Sequence, residues 1–274
     1  MAKENFILLR GVIKKKPKFI GNAEENTIKE AIFKMTVIRR DIFGRGNSFE
    51  PKMDYPIVST SSPEIIRQII DLNLTEGDVI EVKGTYKTKG IEIKCECPNC
   101  HKINSFSYQL NCVSPQFVQR MAHFDTSAEG LSYLKNHAEI SNICKVIGTV
   151  CVSGENFRNG ESENGDSFLK YKIAVNRKIK EFDSVDKEDH VDYPYVCSFN
   201  DVAAGDRKML KLGTMIYIDG FVHTSAPSIG VLCGECGTEF STRVQNMNIT
   251  PYSVEYLRDY IDNGFEQSPE QTRE

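Results

Sequence analysis

Apolar and polar positions alternate along this chain in short runs bounded by glycine, proline and charge. That is the pattern of half-buried strands rather than of helices. Residues 6–13 form a first strand, closed by Lys14-Lys15-Lys16-Pro17-Lys18. Residues 21–27 are a polar loop, 31–39 alternate as a second strand, 41–54 form a long loop, and 55–60 a short third strand. Ser62-Pro63-Glu64 carries a helix-start signature, with Ile65, Ile66, Ile69, Ile70 and Leu72 as its buried face. Strand four follows at 79–87, a cysteine-bearing hairpin tip leads into strand five, Ser114-Pro115 reads as a helix opening, and 127–140 as an amphipathic helical linker.

The same order then recurs. An offset of 136 residues places Gly84 on Gly220, Thr88 on Thr224, Cys97 on Cys233, Cys100 on Cys236, Ser105 on Ser241 and Pro115 on Pro251. Upstream, Asp54-Tyr55-Pro56 returns as Asp192-Tyr193-Pro194, and the run ending at Gly11 returns as the one ending at Gly148. Strands of the second copy fall at 143–152, 168–176, 193–199, 214–223 and 241–249, with a helix at 201–212. Thr250-Pro251 reads as the cap of a last helix over 252–262. The chain therefore divides into a first domain at 1–120, a linker at 121–141, a second domain at 142–262 and a disordered polar tail at 263–274.

Composition narrows the class. At 274 residues, with 40% hydrophobic and 26% charged positions, the chain suits two ordinary globular domains. No apolar run approaches the roughly 20 residues of a membrane span, and the N-terminus lacks a signal-peptide pattern. Nine cysteines without an export signal favour reduced thiols and metal, and a cytoplasmic location. The net charge of −4 conceals a basic first part, with 19 Lys+Arg against 14 Asp+Glu in residues 1–120, and an acidic remainder, 15 against 24.

Five strands with a helix between the third and fourth is the order of the OB-fold, so the expected class is mainly β: two tandem five-stranded OB-fold barrels, each with a CxxC-bearing strand 4–5 hairpin. Three segments sharpen this: Leu9-Arg10-Gly11-Val12 with Val146-Ile147-Gly148-Thr149; Ile173-Ala174-Val175-Asn176-Arg177; and Leu212-Gly213-Thr214-Met215-Ile216-Tyr217-Ile218-Asp219-Gly220. Through them both halves resemble the bacterial and phage single-stranded DNA-binding proteins. The resemblance implies a non-enzymatic role in protecting and presenting single strands in replication, recombination or repair, with the fused copies acting as an intramolecular pseudo-dimer. It departs from the family in two places: the chain closes Ser-Pro-Glu-Gln-Thr-Arg-Glu rather than on an acidic Phe-ending tip, and the paired cysteines are not part of the common pattern.

Sequence-tolerant binding needs cations for phosphate and rings for bases. The first copy offers Lys14, Lys15, Lys16, Lys18, Phe19, Arg39, Arg40, Phe43, Arg45, Tyr55 and Tyr86; the second offers Phe157, Arg158, Tyr171, Arg177, Lys178, Tyr193 and Tyr195. With no Trp in the chain, stacking falls to Phe and Tyr. Cys97-Pro98-Asn99-Cys100 and Cys233-Gly234-Glu235-Cys236 are metal knuckles. They could share one zinc between copies. Alternatively Cys97 and Cys100 could join Cys112 with Cys95 or His101 in a local site. Catalytic signatures are absent from the sequence, and the acidic run at 183–192 has no two-metal spacing. Two other readings stay open: a replication-complex adaptor using a barrel for protein contacts, and RNA binding.

Overall fold

In this computed structural model the described residues are 4–22, 27–39, 51–162, 165–177 and 191–259. The first repeat contains β1 (Asn5–Ile13), β2 (Lys18–Asn22), β3 (Thr27–Arg39), β4 (Lys52–Asp54), β5 (Ile57–Thr60), α1 (Pro63–Leu72), β6 (Val79–Glu96) and β7 (Ile103–Ala122). After α2 (Ser127–Leu134) and a 3₁₀ turn (Lys135–Ile140), the second contains β8 (Asn142–Val150), β9 (Arg158–Glu161), β10 (Ser167–Asn176), β11 (Val191–Asp192), β12 (Tyr195–Phe199), α3 (Asn200–Met209), β13 (Thr214–Ser225), β14 (Ser228–Leu232), β15 (Glu239–Arg243) and β16 (Asn246–Asp259).

Each repeat closes on itself. β1 pairs antiparallel with β3 and β6, β3 with β5, β6 with β7, and β5 meets β7 in parallel. The second circuit is the same: β8 with β10 and β13, β10 with β12, β13 with β16, and β12 parallel to β16. Inward positions such as Ile7, Leu9, Ile80, Val82, Val146, Ile173 and Ile218 are fully buried, which is why alternation in the sequence maps onto a barrel wall. α1 begins as its Ser-Pro signature indicates, with Ile66 and Ile69 buried and Ile70 turned outward.

Two expected helices are strand instead. β7 and β16 run straight through Ser114-Pro115 and Thr250-Pro251. Each proline faces a glycine across a register shift, Pro115 opposite Gly84 and Pro251 opposite Gly220. A bulge tolerates the missing proline N–H. The partner must be glycine because a Cβ there would sit 2.3 Å from the Ser114 carbonyl oxygen, or 2.2 Å from that of Thr250.

The repeats are joined edge to edge by β1 and β8, in which Asn5 lies opposite Val146 and Leu9 opposite Asn142. The pairing exchanges equivalent positions, as an isologous two-fold contact does. Within each repeat an asparagine prolongs the neighbouring ladder of the joining strand: Asn5 of β1 exchanges side-chain hydrogen bonds with the Tyr86 backbone of β6 (3.1 and 2.7 Å), and Asn142 of β8 does so with Val222 of β13 (2.9 and 3.0 Å).

Candidate metal centre and nucleic-acid groove

The repeated Asp-Tyr-Pro motif belongs to this two-fold contact. Asp54 Oδ1 accepts the Thr224 backbone N–H of the other repeat at 2.7 Å, and Asp192 Oδ1 accepts that of Thr88 at 2.7 Å. The next residue repeats the gesture, the Tyr55 N–H donating to Thr224 Oγ1 and the Tyr193 N–H to Thr88 Oγ1. Arg39 and Arg177 brace the two aspartates at 2.7 and 2.8 Å. Burial alone would raise the Asp54 carboxyl. The His223 hydrogen bond, the Arg39 charge and the Thr224 N–H outweigh it and hold the carboxyl below its usual range.

This geometry corrects several expected nucleic-acid contacts. Arg39 is 7% exposed, ion-paired to Asp54 and stacked over Phe221, so it serves the contact between repeats. Arg177 is likewise engaged by Asp192. Tyr86 is fully buried, its hydroxyl donating to the Met247 carbonyl at 2.6 Å, and Tyr171 is buried with its hydroxyl on Asp206. Neither ring can stack on a base. Arg40, Phe43, Arg45 and Lys178 lie outside the described residues, as do most of the 183–192 acidic run and the tail.

The remaining residues gather. Lys14, Lys15, Lys16, Lys18 and Tyr55 line one groove of about 940 Å³. Tyr55 is 42% exposed, with Lys14 Nζ 5.4 Å from its ring centroid. Phe19 is exposed on the adjoining β2. The far wall comes from the second repeat, at Thr224–Ala226 and Arg243–Gln245, so the groove is built from both copies. Lys34 and Arg243 also line it, and sequence reasoning missed both. Lys34 was legible as a polar residue alternating with buried Phe33 and Met35 on β3.

A second groove, of about 500 Å³, holds Phe157, Arg158 and Tyr195 with Lys170 and Lys172. Phe157 is half-buried and packs 5.8 Å from the Tyr171 ring; Arg158 is exposed. Lys170 and Lys172, also missed, project from the polar face of β10 over the rings of Tyr195 and Tyr193. Burial pushes the Lys170 pKa down.

The two cysteine knuckles meet. Each is tied by the same pair of backbone bonds, Cys97 N–H to Lys102 and His101 N–H to Cys97 in one, Cys233 N–H to Thr238 and Gly237 N–H to Cys233 in the other. His101 and Gly237 both take positive φ, 57° and 67°, to turn the chain back. The four sulfurs lie within 4.8 Å of one another. Two equivalent cross-repeat pairs stand at 3.7 Å, Cys97 to Cys236, and 3.6 Å, Cys100 to Cys233. A disulfide would need about 2.05 Å. Four thiolates around a tetrahedral zinc at about 2.3 Å stand about 3.8 Å apart, so this donor set fits such an ion.

Neighbouring groups already favour some thiolates. The Thr238 hydroxyl and backbone N–H lower Cys236 to about 6, and the backbone N–H groups of Cys236 and Glu235 lower Cys233. The Lys102 backbone N–H favours the Cys100 thiolate, yet desolvation and the adjacent sulfurs push it up to about 12. Asn104 adds contacts to Cys233 Sγ and the Gly234 N–H.

The local alternative is not assembled. Cys112 is buried beside Ile57 and Leu110, Cys95 contacts the Asn104 carbonyl, and His101 bonds Glu96.

No family model matches this sequence, and no curated protein matches it either. Among solved structures, the single-stranded DNA binding protein of Thermus aquaticus is similar at TM-score 0.56 and 14% identity, covering 94% of this chain and 95% of that one. A deletion mutant of the same protein gives TM-score 0.56 at 15% identity, covering 95% of this chain and 98% of that one. Over nearly its whole length, this chain has the fold of the Thermus aquaticus protein.

Proposed function

We propose that this protein binds single-stranded DNA without sequence preference, as a divergent member of the single-stranded DNA-binding proteins. The observation that carries the reading is the cross-repeat groove. Lys14, Lys15, Lys16, Lys18, Lys34 and Arg243 converge there around exposed Tyr55, and no carboxylate is among the described residues that line it. Cations supply salt-dependent attraction to phosphate, and the ring supplies a stacking face that any base can use. The Thermus aquaticus protein, named for single-stranded DNA binding, supports the same reading by its fold.

A zinc ion on Cys97, Cys100, Cys233 and Cys236 would act as a structural cross-link, tying the β6–β7 hairpin tip to the β14–β15 hairpin whose base forms the groove's far wall. A role in replication, recombination or repair, in the cytoplasm, is part of the same proposal. Gel-shift competition tests it. A labelled oligo-dT complex should survive excess duplex and yield to unlabelled single-stranded DNA. Displacement by duplex at equal concentration would overturn it, and stronger displacement by RNA of the same sequence would reassign the ligand to RNA.

A further inference from the structure

The two grooves occupy equivalent places in the two repeats, yet their chemistry has been exchanged. Lys14-Lys15-Lys16 of the first repeat correspond to Cys151-Val152-Ser153 of the second. Conversely, aliphatic Ile57, 6% exposed, corresponds to Tyr195, which lines the second groove. The three-lysine run stands in one site and not the other, and a ring stands in the second where the first has an aliphatic core residue.

We propose that the repeats carry two chemically different single-strand sites: a phosphate-reading site in the cross-repeat groove and a base-stacking site at Tyr193 and Tyr195. This rests on the single-strand reading above and divides the labour within it.

Six cations line the first groove. In the second, Arg158, Lys170 and Lys172 are offset by Glu155. A lysine rests over the Asp-Tyr-Pro tyrosine in both repeats, Lys14 Nζ 5.4 Å from the Tyr55 centroid and Lys172 Nζ 5.5 Å from that of Tyr193. The second site adds another ring, with Lys170 Nζ 4.7 Å from the Tyr195 centroid. An ammonium resting on a ring face covers it until a base displaces it. Lys170 is half-buried against that ring, whereas Lys15 and Lys16 are exposed and free to reach phosphate. Binding at the second site is then the exchange of a lysine for a base, whose driving force depends little on salt. Binding at the first releases counterions from phosphate, and its strength falls with salt.

The test uses the full chain, a labelled oligo-dT, and an abasic oligonucleotide of the same length, titrated at several salt concentrations. The Lys15→Gln/Lys16→Gln variant should flatten the log K against log salt slope by about 1.4, from about 0.7 per phosphate contact on single strands. It should weaken abasic and dT oligonucleotides alike. The Tyr193→Ala/Tyr195→Ala variant should keep the wild-type slope, lose about tenfold or more affinity for oligo-dT at every salt concentration, and bind the abasic strand as wild type does. Tyr193→Phe/Tyr195→Phe should restore oligo-dT binding, which separates lost stacking from a disturbed fold. Equal slope changes from the lysine and tyrosine variants would overturn the division of labour while leaving single-strand binding intact. Absence of oligo-dT binding by the wild-type chain would instead overturn the parent reading.

Discussion

Asp54 is fully buried, yet it carries a charge, because Arg39, His223 and the Thr224 N–H converge on it from two repeats. Removing the charge leaves Arg39 buried without its partner, so Asp54→Asn should cost about 3 kcal/mol at pH 7, read by urea unfolding. Since the folded-state pKa lies below the unfolded value of 3.8, the contribution is complete above that value. It is lost as pH falls through the folded pKa, so the gap between wild type and variant should narrow below about pH 4. The tyrosines divide just as sharply. Tyr55→Ala should weaken oligo-dT about fivefold or more with little change in Tm, because its ring is exposed. Tyr86→Ala should lower Tm by many degrees, because it empties a core position. Parity along β6 argues against the stacking role expected of Tyr86, since it shares its face with buried Ile80 and Val82. The destination of the Asp-Tyr-Pro motif was not legible. Repetition marks it as important, but only the pairing of β1 with β8 brings Thr88 and Thr224 within its reach.

At the scale of elements, the hairpins β6–β7 and β14–β15 bring the four knuckle cysteines together. One zinc per chain is expected. Cys100→Ser or Cys236→Ser should each abolish it and lower Tm by about 5 °C or more, whereas Cys112→Ala should retain the full ion. Two ions per chain, or loss in Cys112→Ala, would contradict the shared site. Cobalt substitution should give the intense visible bands of a tetrahedral four-thiolate centre. Gly84→Ala should destabilise by about 1–3 kcal/mol, because the added methyl meets the Ser114 carbonyl oxygen rather than a side chain that can turn away. The knuckles were readable because CxxC spacing is local and the 136-residue offset superposes them. The strands through Pro115 and Pro251 were not, because Ser-Pro and Thr-Pro imitate a helix start. What decides against a helix is the glycine across the ladder, about 30 residues away in each repeat.

Over the whole molecule, a net charge of −4 and a pI of about 5.8 would suggest a poor polyanion ligand. Affinity depends instead on where the charges stand. The fold collects cations of the loop after β1, of β2 and of β3 with Arg243 of the other repeat into one groove, and leaves carboxylates out of its described lining. Sequence alone placed the lysines beside the first strand, but the contribution of the second repeat depends on the two-fold joining of the barrels. The measurement that tests this account most directly is the salt dependence of oligo-dT binding by the intact protein, followed by fluorescence polarisation. With about five lysines and arginines on phosphates, log K should fall against log salt with a slope of about −3 to −4. Binding that is absent at low salt, or indifferent to salt, would contradict it.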